Sequence, residues 1–496
     1  MSTAIAQVVA AFYLTPAQFG IYATAVGVVI VTSLFRGGGT GNHMLTMTPA
    51  EFESEGGRFF RYSLIFAALA LVASLLVAGP AASAFAKAKG YSESDLRGVI
   101  VVLGIQFAVF IVGQYPRSRI AAELRFKELA GLDVISGILK LATTWVLAVE
   151  GGGAMALAVP LLVTSGFENL WTWARARLTG AELHAPPGWL RATLREMRLP
   201  LVMAVLATLN SQTDALVGSV LVPVAVIGYY FFATQLASQP NNLIATSLRS
   251  VFAPTAARVR GNVAKEREAI YTVFTAGMVF APIVSMAIPA VFDSFERAVW
   301  DGKWAESRIP LLILSATLVY PTVVQLVAAP LSGIRDWSSA IRLDSGRAIT
   351  KILGAAIAGV LIIWLQLGSV ASGILLASVV GGLGAAVASL ELYRIIMRMG
   401  ITTRGTILYE LYSTPLAALL SGVASAGLAH SLAESLNTHL MPRTVACIEC
   451  AIAGTLYLAL SLTLLRFGYT RTLERVIDLL PPGAGNAARK LFVLSR

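Results

Sequence analysis

Two lysines stand in apolar stretches where a membrane-crossing helix has no ordinary use for charge. Lys140 ends "GLDVISGILK", seven residues after Asp133, and Lys351 ends "LDSGRAITK", seven after Asp344. Seven residues is close to two helical turns, so in each stretch the aspartate and the lysine share a face, about 10 Å apart along the axis. An ionisable group inside a span costs roughly 3 kcal/mol and is by default a functional residue turned towards the interior of the helix bundle. A structural ion pair and a lysine snorkelling to the surface are the alternatives, and snorkelling suits Lys351, about one turn inside its span, better than Lys140.

Further polar groups recur at membrane depth. Arg36, a third cation, sits in "SLFRGGGTGNHMLT", where a glycine run interrupts an apolar span, and "ATQLASQPNNLIATS" carries Gln235, Asn241 and Asn242 around Pro240. Irregular backbone at such depth is tolerated only against protein or a water-filled cavity. Corresponding Gly- or Pro-interrupted spans in two halves of a chain point to a transporter's binding site. "ATLNSQTDALVG" places Asn210 and Asp214 on one helical face; Asp214 suits a coupling ion, a sugar hydroxyl or a lysine partner equally. Glu168 and Glu391 fall near inner span ends, where a solvated role suffices.

The elements that hold these groups are membrane helices. The 496 residues are 56% hydrophobic and 13% charged, against about 25% charged in a soluble domain, and the mean hydropathy is +0.73. Apolar runs of the roughly 20 residues that a spanning helix needs recur near 1–14, 21–35, 63–86, 99–115, 131–149, 153–173, 201–222, 224–248, 270–292, 309–330, 348–366, 368–393, 412–430 and 443–465. The first is short for a span, so it is either tilted or capped by neighbouring helices, or the natural start lies upstream of Met1. Most of the 38 Lys and Arg fall in alternate loops. Because cytoplasmic loops carry that excess, fourteen spans with both termini in the cytoplasm are predicted. The same loops face anionic lipid head groups, which accounts for the net charge of +11 without nucleic acid.

The two lysine stretches are copies of one pattern, and a second pair agrees with them. "LTPAQFGIYATA" matches "LVPVAVIGYYFFA" through Pro16 and Pro223, Gly20 and Gly228, Tyr22 and Tyr230, and Ala25 and Ala233, at nearly the same separation as Lys140 and Lys351. Six spans lie between the copies, so the halves share one orientation, as in parallel-repeat transporters. The fold class expected is therefore an all-α polytopic membrane protein: an N-lobe over 1–173, a cytoplasmic amphipathic linker over 174–200, a C-lobe over 201–400, two further helices over 401–466 and a basic cytoplasmic tail over 467–496. Within the linker, Pro186-Pro187-Gly188 precedes a short basic helix in which Trp189, Leu190, Leu194 and Met197 oppose Arg191, Arg195 and Arg198, an interfacial pattern.

Several chemistries lack their residues. The four histidines are scattered, and Cys447 and Cys450 lie beside Glu449 without further metal-spaced ligands, so packing explains them. There is no phosphate-binding glycine loop and no nucleophile elbow. The longest outer loop, Asp293 to Arg308, is too short to assemble a polymerase or ligase centre. No enzyme activity and no cofactor is expected, apart from a coupling ion, H+ or Na+, that transport would need. A cationic, glycine-interrupted interior suits an amphiphilic anion, whereas an exporter of organic cations calls for a cavity dominated by carboxylates.

"LTPAQFGIYATA", "RSRIAAELRFKELAGLDV", "DALVGSVLVPVAVIGYYFFATQLASQPNN" and "GKWAESRIPLLIL" together resemble the polysaccharide-exporting flippases of the multidrug/oligosaccharidyl-lipid/polysaccharide superfamily. The resemblance covers most of both lobes; "RGGGTG" departs from the family's usual Asp-Leu-Gly-type stretch. It implies fourteen helices in two six-helix lobes and a monomer of the bacterial inner membrane that moves undecaprenyl-diphosphate-linked oligosaccharide. It also implies a polysaccharide polymerase and glycosyltransferases as partners. On that reading Arg36, Lys140 and Lys351 neutralise the diphosphate while Asn210, Asp214, Gln235, Asn241 and Asn242 meet the sugars. A cation-coupled multidrug exporter of the same superfamily is the alternative, with a membrane polymerase or ligase behind it.

Overall fold

The computed structural model describes residues 2–32, 39–44, 47, 49–89, 91–180, 183–258, 261–333, 337–436 and 442–468. Among them the secondary structure is helical and no strand occurs. The helices are α1 (Ser2–Tyr13), α2 (Pro16–Thr32), α3 (Thr40–Met44), α4 (Pro49–Lys89), α5 (Glu93–Ala122), α6 (Phe126–Val149), α7 (Met155–Arg175), α8 (Trp189–Leu221), α9 (Val224–Arg258), α10 (Val263–Val299), α11 (Arg308–Thr317), α12 (Val319–Gly333), α13 (Trp337–Leu365), α14 (Ser369–Met399), α15 (Arg404–Leu436) and α16 (Pro442–Gly468). Each of the fourteen expected spans has its helix, with α11 and α12 sharing one. Nine spans among the described residues are long and apolar enough to cross a membrane by themselves, ten if the bent α8 is counted. The protein is an all-α, multi-pass membrane protein.

Two helix starts are capped by side chains. Ser92 precedes α5 and accepts from the Asp95 amide, with Glu93 and Asp95 in the first turn. Asn262 does the same for α10 through the Lys265 amide, while Glu266 takes the Gly261 amide at 2.7 Å. These side chains satisfy amides that no helical carbonyl reaches and set negative charge at the positive end of the helix dipole.

The chain forms two compact units, Met1–Phe231 with Gly359–Ser369, and Phe232–Ala358 with Val370–Arg496. In the first, Ile21, Val28, Leu96, Val99, Ile100 and Leu103 bury a core between α2, α4, α5 and α7. A second cluster joins Phe52, Phe59 and Tyr62 of α4 to Tyr115 of α5 and Met197 of α8. The short basic helix expected after Pro186-Pro187-Gly188 is not a separate element; it opens α8, which runs on through Pro200. Met197 turns inwards while Leu190 and Leu194 stay exposed, because Arg58 of α4 holds Glu196 at 2.8 Å and fixes the rotation of the helix.

The first unit also contains a reciprocal crossing. An added Cβ on Gly20 of α2 would collide with the Val224 carbonyl oxygen of α9, and one on Gly228 of α9 with the Pro16 carbonyl oxygen of α2. Close backbone approach of this kind is what small residues permit in membrane helix packing. Beside it, Tyr22 meets Phe231 edge to face, with ring centroids 5.7 Å apart. The shift that carries Gly20 to Gly228 carries Pro16 to Val224, one residue beyond its sequence match Pro223, so the two contacts exchange with each other, as a local twofold relation requires.

The second unit is built around α10, 67% of whose apolar window is buried, against 22% for α4. Ile270, Phe274 and Met278 of α10 pack with Val323 and Val327 of α12, Leu392 and Ile396 of α14, and Ile407 and Leu411 of α15. Further along, Met286 and Ala290 meet Ala418 of α15 and Tyr457 of α16.

Candidate substrate-binding site

In the first unit, α5, α6 and α7 gather charge at one end. The brace is Arg125, between α5 and α6: its guanidinium donates to both Glu128 oxygens at 2.8 Å, to Glu123 at 3.0 Å and to the Arg175 carbonyl of α7 at 3.0 Å. The planar fork suits bidentate pairing with carboxylate, and one side chain thereby ties together the ends of three helices.

Between α5 and α7 lies a narrow cleft lined by Gln114 and Arg117 of α5 and by Ser165, Glu168 and Asn169 of α7, among others. Arg117 donates to Asp133 of α6 at 2.7 Å and stands 3.6 Å from Glu168. Asn169 donates to the Val109 carbonyl at 2.8 Å, and its Oδ1 is buried without a partner. Ser165 accepts from Gln106 at 3.0 Å, which leaves the hydroxyl proton available to an acceptor.

Lys140 belongs to this group. On α6, Val134, Ile135, Ile138 and Trp145 are exposed, the apolar surface a lipid-facing helix should present, while Lys140 is half-buried. A helical side chain leans towards the helix N-terminus, here the end where Arg117 and Glu168 lie. The carboxylate whose field acts on Lys140 is that of Glu168. Asp133 takes a hydrogen bond from Arg117.

Two other predicted residues lie in this unit, on α8. Asp214 is 2% exposed and accepts from the Tyr230 hydroxyl at 2.6 Å; Asn210 is buried one turn earlier. Arg36 lies outside the described residues.

The remaining predicted residues belong to the second unit. Asn241 is 3% exposed and donates to the Ala237 carbonyl and to Ser285 of α10, at 3.2 and 2.9 Å; Ser285 donates onward to the Ser315 carbonyl of α11 at 2.7 Å. That ladder fastens three helices. Gln235 is half-buried and Asn242 exposed. On α13, Lys351 is half-buried, and Asp344 accepts from Arg347 one turn on, at 3.1 Å.

Arg117 and Asn169 escaped the sequence reading, and Glu168 was set aside there as solvated. Hydropathy gives the depth of a residue along its own helix, and only tertiary packing shows that α5 and α7 bring Arg117 and Glu168 together. Among the described residues no group of three or more His, Cys, Asp or Glu is arranged to hold a metal ion.

The fold has known counterparts. A lipid II flippase, MurJ, in an inward closed conformation, matches at a TM-score of 0.66 and 12% identity over 94% of this chain and 98% of that one. An inward-facing multidrug resistance transporter of the MATE family, in the MOP superfamily, matches at 0.52 and 16% identity over 81% and 96%. At such identities the likeness is one of fold. No curated protein sequence matches. The model of the family described as "Polysaccharide biosynthesis protein" matches residues 9–307, more than half of the chain, and the chain belongs to that family.

Proposed function

We propose that the protein carries an undecaprenyl-diphosphate-linked oligosaccharide from the inner to the outer leaflet of the bacterial inner membrane, by alternating access, for cell-surface polysaccharide or exopolysaccharide synthesis. The observation that carries this reading is a polar cleft lined by Arg117 and Glu168, with Lys140 in the field of that glutamate, in a chain of a polysaccharide biosynthesis family. With both termini in the cytoplasm, that end of α5–α7 faces the leaflet in which the lipid diphosphate is made. Arg36 and Lys351 add positive charge, Asn210, Asp214, Gln235, Asn241 and Asn242 supply hydrogen bonds for sugars, and the drive is a gradient of H+ or Na+ or that of the substrate alone. Glycosyltransferases provide the substrate and a polymerase takes the product.

The multidrug transporter fold supports a second reading, a cation-coupled drug exporter of the same superfamily. An organic cation requires carboxylates without cationic neighbours, whereas Asp133 and Glu168 both face Arg117. The test is reconstitution into liposomes holding undecaprenyl-diphosphate-linked oligosaccharide, following how fast inner-leaflet glycan becomes open to added glycosidase. Acceleration over protein-free liposomes is expected. No acceleration, together with export of a cationic dye, would establish the drug exporter instead.

A further inference from the structure

One cation and one carboxylate, Arg117 and Glu168, line the cleft, and one more of each lies outside the lining, Asp133 bonded to Arg117 and Lys140 in the field of Glu168, so the charges cancel. A phosphate group gains little from such a site until one carboxylate gives way.

The two carboxylates are held differently. Asp133 is 56% exposed, makes a short hydrogen bond to Arg117 and does not line the cleft. Glu168 is 28% exposed and lines the cleft, with Arg117 at 3.6 Å, beyond hydrogen-bonding reach. A charge that is largely removed from water yet pairs at a loose distance is the one a better-matched anion can replace. A phosphate brings three oxygens to Arg117, to Lys140, to the spare proton of Ser165 and to the amide of Gln114, and so satisfies more donors than the carboxylate does.

We propose that this cleft is a phosphate subsite and that Glu168 is its resident anion, which the phosphate of an incoming lipid displaces. The proposal rests on the lipid-diphosphate reading above and adds a gate to it: the chain's own carboxylate keeps the site closed to weaker anions.

The experiment measures binding of undecaprenyl diphosphate, with undecaprenol as the uncharged comparison, to the purified full-length protein in lipid nanodiscs by native mass spectrometry. Glu168→Gln should bind the diphosphate about tenfold more tightly than the unaltered protein, the equivalent of about 1.4 kcal/mol, and Arg117→Ala about tenfold more weakly. Glu168→Asp, which draws the carboxylate back by one methylene, should shift affinity in the same direction as Glu168→Gln, though less. Asp133→Asn removes the same charge outside the cleft and should shift affinity by less than twofold. Equal tightening in Asp133→Asn and Glu168→Gln would leave only a net-charge effect and overturn the subsite. So would no tightening in Glu168→Gln when the unaltered protein prefers the diphosphate to undecaprenol, with the substrate reading left standing. No such preference in any of the proteins would overturn the substrate reading and the subsite together.

Discussion

One guanidinium nitrogen of Arg297 on α10 lies 2.8 and 2.9 Å from the two carboxylate oxygens of Glu449 on α16. Glu449 is 3% exposed at its side chain, and His430 of α15 brings Nδ1 to 3.3 Å of the same carboxylate. The α15–α16 pair is thus fastened to the central helix of its unit by charge as well as by apolar packing. Arg297→Ala leaves a buried carboxylate short of its main partner and should cost about 2 to 3 kcal/mol of stability. Arg297→Ala with Glu449→Ala together should cost less than the sum of the single losses. Thermal unfolding of the four proteins in detergent checks both statements.

The crossing of α2 and α9 makes a sharper prediction, because the atoms that oppose a new side chain there are backbone. Gly20→Val or Gly228→Val should cost at least about 3 kcal/mol, the upper end of the range for overpacking, since a carbonyl cannot rotate away as a side chain does. Gly131→Val, at a position with open space around it, should shift the melting temperature little in the same measurement.

On α6 the two charges should behave differently in cells. In a strain lacking the protein, Lys140→Ala should fail to restore surface polysaccharide although it inserts at normal levels. Asp133→Ala should restore it to within about twofold, as expected for an exposed partner of an ion pair. Quantifying polysaccharide alongside immunoblots of the membrane fraction separates transport from insertion. Full restoration by Lys140→Ala would leave the residue a structural role.

Acid should loosen one corner of the first unit. His43 of α3 has Nε2 3.5 Å from Glu196 of α8, and burial pushes its pKa below the ordinary 6.5, against the attraction of Glu196. The unfolded chain therefore binds more protons at this residue than the folded one, and stability from this site is complete above about pH 6.5 and declines as the medium is acidified through that value. Melting temperatures followed from about pH 7.5 to 5 should fall less for His43→Gln than for the unaltered protein.

The spans were legible in the sequence because a bilayer demands long apolar runs, and each expected run has its helix. The break at Leu318, between α11 and α12, was missed because 309–330 reads as one mainly apolar run, although Pro321 in the first turn of α12 marks it. Gly20 and Gly228 could be matched from sequence, but that they face one another's backbone could not. The candidate site was legible in part. Lys140 stood out as a charge in apolar surroundings, whereas Arg117 resembled every other basic residue near an inner helix end. Asn241 shows the converse: "SQPNN" signals a polar break, yet α9 continues through it, and the Asn241 amide bonds its own helix and Ser285.

The exchange of Pro16 with Val224 and of Gly20 with Gly228 has a consequence for the ancestry of the fold. A contact that maps onto itself under a single shift is the kind two identical polypeptides make across a dyad. In two separate chains such a contact is lost on dilution, whereas joining them end to end holds the partner at a fixed, high effective concentration. The four positions are then constrained as a set: bulk gained in either copy breaks the same crossing, so the halves are not free to diverge independently there.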